Sequence, residues 1–323
     1  MSGSEHVDAE IASQPDTWRR AAALAVGPTA EALPKKGERV AVVGCGTSLY
    51  MAQAYAVLRE QAGLGDTDAF AASEFPFGRA YDRVVALSRS GTTTEVLELL
   101  QRLKGAIATV AVIADPDTPA PALADRTIVL DFADEKSVVQ TRFATTALTL
   151  FRAHVAAQSG TAFDLEKIVA DARRCVSEPL PEGILDKTQF AFLGRGWTVG
   201  LANEAGLKMT EASLTWTQSY PAMEYRHGPI SIASPGTVTW MLGEAPRGLA
   251  EQVEATGGQW LDGTSDGTSD GTSDGTADGT SAGRDPLAEL IRVQRLAVAL
   301  GARKGLEVDN PRNLTRSVVL SEV

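Results

Sequence analysis

Two short stretches of the chain concentrate hydroxyl groups beside glycine: Gly44-Cys45-Gly46-Thr47-Ser48 and Ser88-Arg89-Ser90-Gly91-Thr92-Thr93. Each follows a short apolar run, Arg39 to Val43 in the first case and Val84 to Leu87 in the second, and each precedes a segment of helical spacing. Strand, loop and helix in that order put both loops at the carboxyl ends of parallel strands. There, unsatisfied helix N–H groups and the helix dipole favour an anion. A dinucleotide would want G-x-G-x-x-G with an acidic residue after the next strand, but the first loop reads G-C-G-T-S-L. A hydroxyl-lined nest suits a smaller dianion, a phosphate monoester. Serine and threonine also cap helices and form turns in every kind of protein, and that is the competing reading. Two loops placed alike in one half of the chain favour phosphate.

A related pattern recurs later. Gly194-Arg195-Gly196 lies 150 residues beyond Gly44-Cys45-Gly46, and the same offset sets Ala202 over Ala52. With matching strand-loop-helix order around both, the chain reads as duplicated. The later loops, Gly194-Arg195-Gly196-Trp197 and Gly243-Glu244-Ala245-Pro246, lack the hydroxyls, so one phosphate site per chain is expected, in the first half. The second half carries other groups. Glu204, Lys208 and Glu211 fall at i, i+4 and i+7 on one helix face. Spacing alone reads this as a solvated, salt-bridged face. His227, one of three histidines, precedes Gly228-Pro229 in a turn, where a lone histidine is ordinarily structural or exposed.

The elements that must position these groups alternate. A leading helix is expected from Asp16 to about Ala32, with Trp18, Ala22 and Val26 four apart. The run "AIATVAVIAD" gives a further strand, and a helical segment from Leu150 to about Ser177 bridges the halves. Near-continuous apolar strands alternating with helices predict an α/β fold of parallel sheets covered on both faces. The expected organisation is a helical lead over 1–34, a phosphate-binding domain over 35–160 and a second domain over 161–323. Within the latter, a strand "TVTWML" and a helix "LAEQVEA" precede a DGTS-type repeat from Asp262 to Gly283, and a helix "DPLAELIRVQRLAVALGARKG" follows. The repeat has no apolar face and reads as a flexible insertion. Its period of four does not match the nine-residue period of calcium-binding repeats.

Composition narrows the function classes. Thirty Lys and Arg against 41 Asp and Glu give a net charge of −11, which disfavours nucleic acid and anionic membrane as partners. Only Cys45 and Cys175 are present, too few for a disulfide framework or zinc cluster. The polar start and the absence of a bilayer-length apolar run predict a soluble, cytoplasmic protein.

Taken together, "GCGTS", "SRSGTT", "GRGWTVGLANEAGLKMTEAS", "EYRHGP" and "DNPRNLTRSV" resemble the paired sugar isomerase (SIS) domains of the phosphosugar isomerase family. That family includes the isomerase half of glucosamine-6-phosphate synthase. "DAEIASQPDTWRRA" and "EKSVVQTRFATTAL" are most similar to the galactosamine-6-phosphate isomerase/deaminase branch. The resemblance implies two tandem SIS domains, each a flavodoxin-like three-layer sandwich. It implies that Ser48, Ser88, Arg89, Ser90 and Thr93, with Gly46 and Thr47 of the first loop, hold the sugar phosphate. Glu211 then matches the base that moves a proton between C1 and C2, His227 the ring-opening residue, and Glu204 and Lys208 polar positions near the sugar. A carboxylate can take such a proton, and a neighbouring cation can stabilise the enediolate. Where the synthase has a lysine that condenses with a sugar carbonyl, this chain has Arg316, whose guanidinium stays protonated and cannot form a Schiff base.

These resemblances lead to the expectation of an amino-sugar 6-phosphate isomerase/deaminase without metal or organic cofactor, a homodimer with shared active sites. No glutaminase segment precedes the first loop, so ammonia transfer from glutamine is not expected. A dehydratase of an N-acetylated amino-sugar 6-phosphate, using the same C2 proton abstraction, is the alternative that Arg316 keeps open. A non-catalytic sugar-phosphate sensor is the other; it would be expected to carry a DNA-binding domain and to lack the base.

Overall fold

The computed structural model describes residues 3–263 and 283–320. Two compact units emerge, one comprising Ser13–Leu165 with Arg312–Val323 and the other Met1–Ala12 with Glu166–Pro311. The DGTS repeat, apart from its ends, lies outside the described residues.

Helix α1 runs Glu5–Leu24, earlier at both ends than periodicity predicts, and Pro15 sits inside it. Its start is fixed from far along the chain: the Asp309 carboxylate accepts the His6 and Val7 N–H groups at 3.0 and 2.8 Å. A cap supplied from that distance leaves no local signal. Gly27 and Pro28 follow the helix end, so Val26, third in the expected stripe, lies past it and is exposed.

The unit that carries the hydroxyl loops contains β1 (Val40–Gly44), α2 (Thr47–Gln61), β2 (Thr67–Ala71), β3 (Arg83–Leu87), α3 (Thr94–Leu103), β4 (Ala108–Ile113), α4 (Ala120–Leu123), β5 (Arg126–Val129) and α5 (Arg142–Ser159). Its five strands are parallel in the order β2-β1-β3-β4-β5. β1 is buried along its whole length, and β3 and β4 except at their first residues, which is why they read as unbroken apolar runs. On one face, α3 buries Val96, Leu99, Leu100 and Leu103 against Ala41, Val43, Val84 and Ala86. Full burial of each such leucine contributes about 2 kcal/mol. On the other, α2 packs on β1 and α5, with Tyr55 stacked on Phe151 at 4.3 Å.

The second unit contains α6 (Leu165–Ser177), β6 (Gln189–Gly194), α7 (Thr198–Ser213), β7 (Thr217–Pro221), β8 (Thr237–Leu242), α8 (Leu249–Glu254), β9 (Gln259–Leu261) and α9 (Pro286–Arg303). Its sheet is again parallel, in the order β7-β6-β8-β9. The single helix expected from Leu150 to Ser177 is two, because Gly160 takes a left-handed φ of 73° and closes α5. In the first sheet Val40 pairs with Thr67, and in the second Phe190 pairs with Thr217, 150 residues on in both strands. Among the described residues no helix is long and apolar enough to cross a membrane.

Candidate active site

In the order β2-β1-β3-β4-β5, the direction of winding reverses between β1 and β3, so the loops leaving their carboxyl ends border the crevice where open α/β sheets take ligands. These are the two hydroxyl loops. Gly44 lets the first turn of α2 sit on the strand end: a Cβ there would lie 2.6 Å from the Ser48 carbonyl carbon and 2.8 Å from the Leu49 nitrogen. Gly46 then turns the chain with φ 55°. The second unit repeats the device, with Gly194 equally crowded by Thr198 and Gly196 at φ 53°.

Ser48, Ser88, Ser90 and Thr93 line one small pocket together with Arg89 and Arg316. Its volume of about 30 Å³ exceeds the roughly 10–15 Å³ that one water needs, so a small polar group can enter it. Gly46 and Thr47 lie outside its wall; Thr47 opens α2 and is buried. The capping alternative fares poorly. Thr93, the residue before α3, makes no side-chain cap hydrogen bond, and the position before α2 is Gly46, which has no hydroxyl. Only the Ser90 hydroxyl is used locally, accepting the Thr92 N–H at 3.2 Å.

Arg89 is 1% exposed, and its terminal nitrogens are committed to protein. One donates to the Ser137 carbonyl at 3.0 Å and reaches the Glu135 carboxylate at 3.4 Å; the other donates to the carbonyls of Val138 and Arg316 at 3.1 and 3.0 Å. Among the described residues its Nε–H has no hydrogen-bond partner. Arg89 is thus a strut between the loop, the 137–138 segment and the C-terminal tail, with one donor left for a ligand. Glu135 is buried and also accepts the N–H groups of Thr141 and Arg142 at 2.6 and 2.8 Å, which fixes the start of α5. Arg316 pairs with Asp134 at 2.5 Å and donates to the Glu135 carbonyl.

The tail is stitched onto the same loop. Ser317 accepts from the Thr92 hydroxyl at 2.9 Å, the Val318 carbonyl accepts the Thr94 N–H at 3.1 Å, and Leu320 N–H donates to the Thr94 hydroxyl at 2.9 Å. With each guanidinium matched by an acid, selectivity for an anion rests on hydroxyls and helix N–H groups more than on net charge. Cys45 and Gln140 complete the wall. Burial, with Glu95 nearby, raises the Cys45 pKa and keeps it a thiol.

In the second unit, α7 brings Glu204, Lys208 and Glu211 together. The Lys208 ammonium lies 3.5 Å from the Glu204 carboxylate and is hydrogen-bonded to Glu211. Glu204 and Lys208 are each 1% exposed and Glu211 is half-buried, so this is not the solvated face that spacing suggests. Burying such charges is costly unless they are paired, a cost structures bear chiefly where the charges have work to do. His227 ends a short 3-10 turn, Glu224–His227, and is exposed. Among the described residues no group of three or more His, Cys, Asp or Glu side chains could hold a metal ion.

Asp134, Glu135 and Gln140 escaped the sequence reading, although all but Asp134 fall within "EKSVVQTRFATTAL". Only the long-range pairing of this segment with Arg89 and Arg316 reveals them.

No family model matches the chain. Over 91% of its length it is 28% identical to a glutamine--fructose-6-phosphate aminotransferase [isomerizing] of Xanthomonas campestris pv. campestris, of which it covers 54%. The chain thus spans about half the length of the curated relatives it matches. The crystal structure of glucosamine-6-phosphate deaminase from Thermotoga maritima superposes with a TM-score of 0.77 at 23% identity, covering 97% of this chain and 99% of that one. The C-terminal domain of glucosamine-fructose-6-phosphate aminotransferase from Francisella tularensis gives 0.78 at 22% identity, covering 95% and 98%. By fold, the chain is similar to phosphosugar isomerases and deaminases.

Proposed function

We propose that the chain is an amino-sugar 6-phosphate isomerase/deaminase. The observation that carries this reading is the convergence of the Ser48, Ser88, Ser90 and Thr93 side chains on one pocket at the ends of β1 and β3. In this reading the pocket holds the 6-phosphate. Glu211 takes the C2 proton of the open-chain sugar and returns it to C1, while the Lys208 ammonium stabilises the enediolate-like charge between the two steps. Where the 2-amino group is free, the proton shift leaves an imine at C2, and addition of water releases ammonia and a ketose 6-phosphate. Arg316 serves by hydrogen bonding, since it cannot form an imine. His227 opens the ring in the site of a second copy of the chain.

The test is incubation with glucosamine, galactosamine and N-acetylglucosamine 6-phosphates, with products read by mass. Ammonia release and a ketose 6-phosphate from an amine substrate are expected. Loss of water from the N-acetylated sugar would favour the dehydratase, and turnover of none would leave a sensor.

A further inference from the structure

Two residues that line the pocket each carry a buried polar atom with no hydrogen-bond partner among the described residues: the Nε–H of Arg89 and the Oε1 of Gln140. They are of opposite kind, one a donor and the other an acceptor. A buried polar atom left unmet is costly, so such a pair in residues lining one cavity marks what a ligand must supply. Arg89 Nε, with the serine hydroxyls, asks for an acceptor, which a phosphate provides. Gln140 Oε1 asks for a donor. A phosphate dianion offers acceptors only, and the hydroxyls of Ser48, Ser88, Ser90 and Thr93 share the wall without donating to it.

The position of Gln140 is enforced on both sides. The Val138 carbonyl is tied to Arg89 at 3.1 Å, and the N–H of Thr141 is tied to Glu135 at 2.6 Å. Arg89 and Glu135 are themselves in contact at 3.4 Å. The backbone carrying Gln140 is therefore held by the same strut that shapes the phosphate loop.

We infer that Gln140 is a specificity-determining residue that accepts a hydrogen bond from an O–H or N–H group on the sugar, away from its phosphate. The inference rests on the phosphosugar reading above. It gives the pocket a polarity, with donors for the phosphate and an acceptor for the sugar.

Titration calorimetry of the full chain with inorganic phosphate and with glucosamine 6-phosphate tests it, taking the ratio of the two dissociation constants. In Gln140→Met, which keeps the side-chain length and removes the acceptor, phosphate affinity stays within about twofold while glucosamine 6-phosphate binds roughly tenfold more weakly. In Gln140→Glu, which keeps an acceptor, the ratio stays within about threefold of the wild type even if the added charge weakens both ligands. An unchanged ratio in Gln140→Met, or equal loss of both ligands there, overturns the role of Gln140 and leaves the phosphosugar reading standing. Failure of the wild type to bind either ligand overturns the phosphosugar reading itself, and the inference with it.

Discussion

His154 makes the stability of the first unit sensitive to mild acid. It lies on α5, 4% exposed, and its Nε2 meets the Gln158 side-chain nitrogen at 3.0 Å. An amide nitrogen can only donate, so Nε2 accepts and the ring is neutral. Burial, reinforced by the Arg59 charge, lowers the His154 pKa from 6.5 to about 4. Arg59 is held in place by the carbonyls of Lys35, Glu38, Leu64 and Gly65 and by the Thr67 hydroxyl. An imidazole depressed in this way binds fewer protons folded than unfolded across the window from pH 6.5 down to about 4. Stability therefore falls as pH drops through that window, by about 1.4 kcal/mol per pH unit, or about 2 kcal/mol by pH 5 and about 3 by pH 4. Urea unfolding at pH 7 and pH 5, for the wild type and for His154→Gln, isolates the contribution, because all other titrating groups are common to both proteins. The wild type should lose about 2 kcal/mol more than the variant between the two pH values. Equal losses would refute the assignment of a neutral, depressed imidazole.

Two further predictions follow from the second unit. The Gly263 carbonyl accepts the Arg284 N–H at 3.3 Å, and Arg284 is anchored to Glu178 and Glu289 at 2.7 and 3.1 Å, so the two ends of the DGTS segment are already joined. Replacing residues 264–282 with a short Gly-Ser linker should shift the melting temperature by no more than about 2 °C and leave turnover intact, since loop length contributes only logarithmically; a large loss in either would assign the repeat a structural or binding role. Mixing Glu211→Gln with His227→Ala under subunit exchange should restore roughly a quarter of wild-type turnover if the two residues act across copies of the chain, because random pairing makes about half the dimers mixed with one intact site each. No recovery would place both residues in one chain's site.

What could be read without coordinates was the chemistry that repeats locally. Gly44 and Gly46 mark the end of a strand and a tight turn, and the apolar runs of β1, β3 and β4 announce strands buried on both faces. The half-buried edge strand β2 and the short β9 carry no such run and went unread. The start of α1 lies earlier than periodicity predicts because its N-terminal N–H groups are satisfied by Asp309 rather than by a neighbour, and its end lies earlier because Gly27 and Pro28 follow it. Site residues whose meaning lies in their own type, such as the serines, were legible. The burial of Glu204 and Lys208 was not, because i, i+4 spacing is the same on a wet face and a dry one. Arg89 shows the limit most clearly: its place in the loop is visible in sequence, but the commitment of both terminal nitrogens to Glu135, Ser137, Val138 and Arg316 depends on segments 46 to 227 residues away.

If Glu211 moves a proton at C2 of a sugar 6-phosphate, as proposed, hydrogen exchange at the sugar carbons reports it directly. Glucosamine 6-phosphate incubated in heavy water with the wild type should yield ketose 6-phosphate bearing deuterium at C1, and recovered substrate bearing deuterium at C2, as read by NMR. Glu211→Gln, isosteric but unable to take the proton, should abolish both signals while binding the same sugar phosphate within about threefold of the wild type. Deuterium incorporation by Glu211→Gln at the wild-type rate would contradict the account.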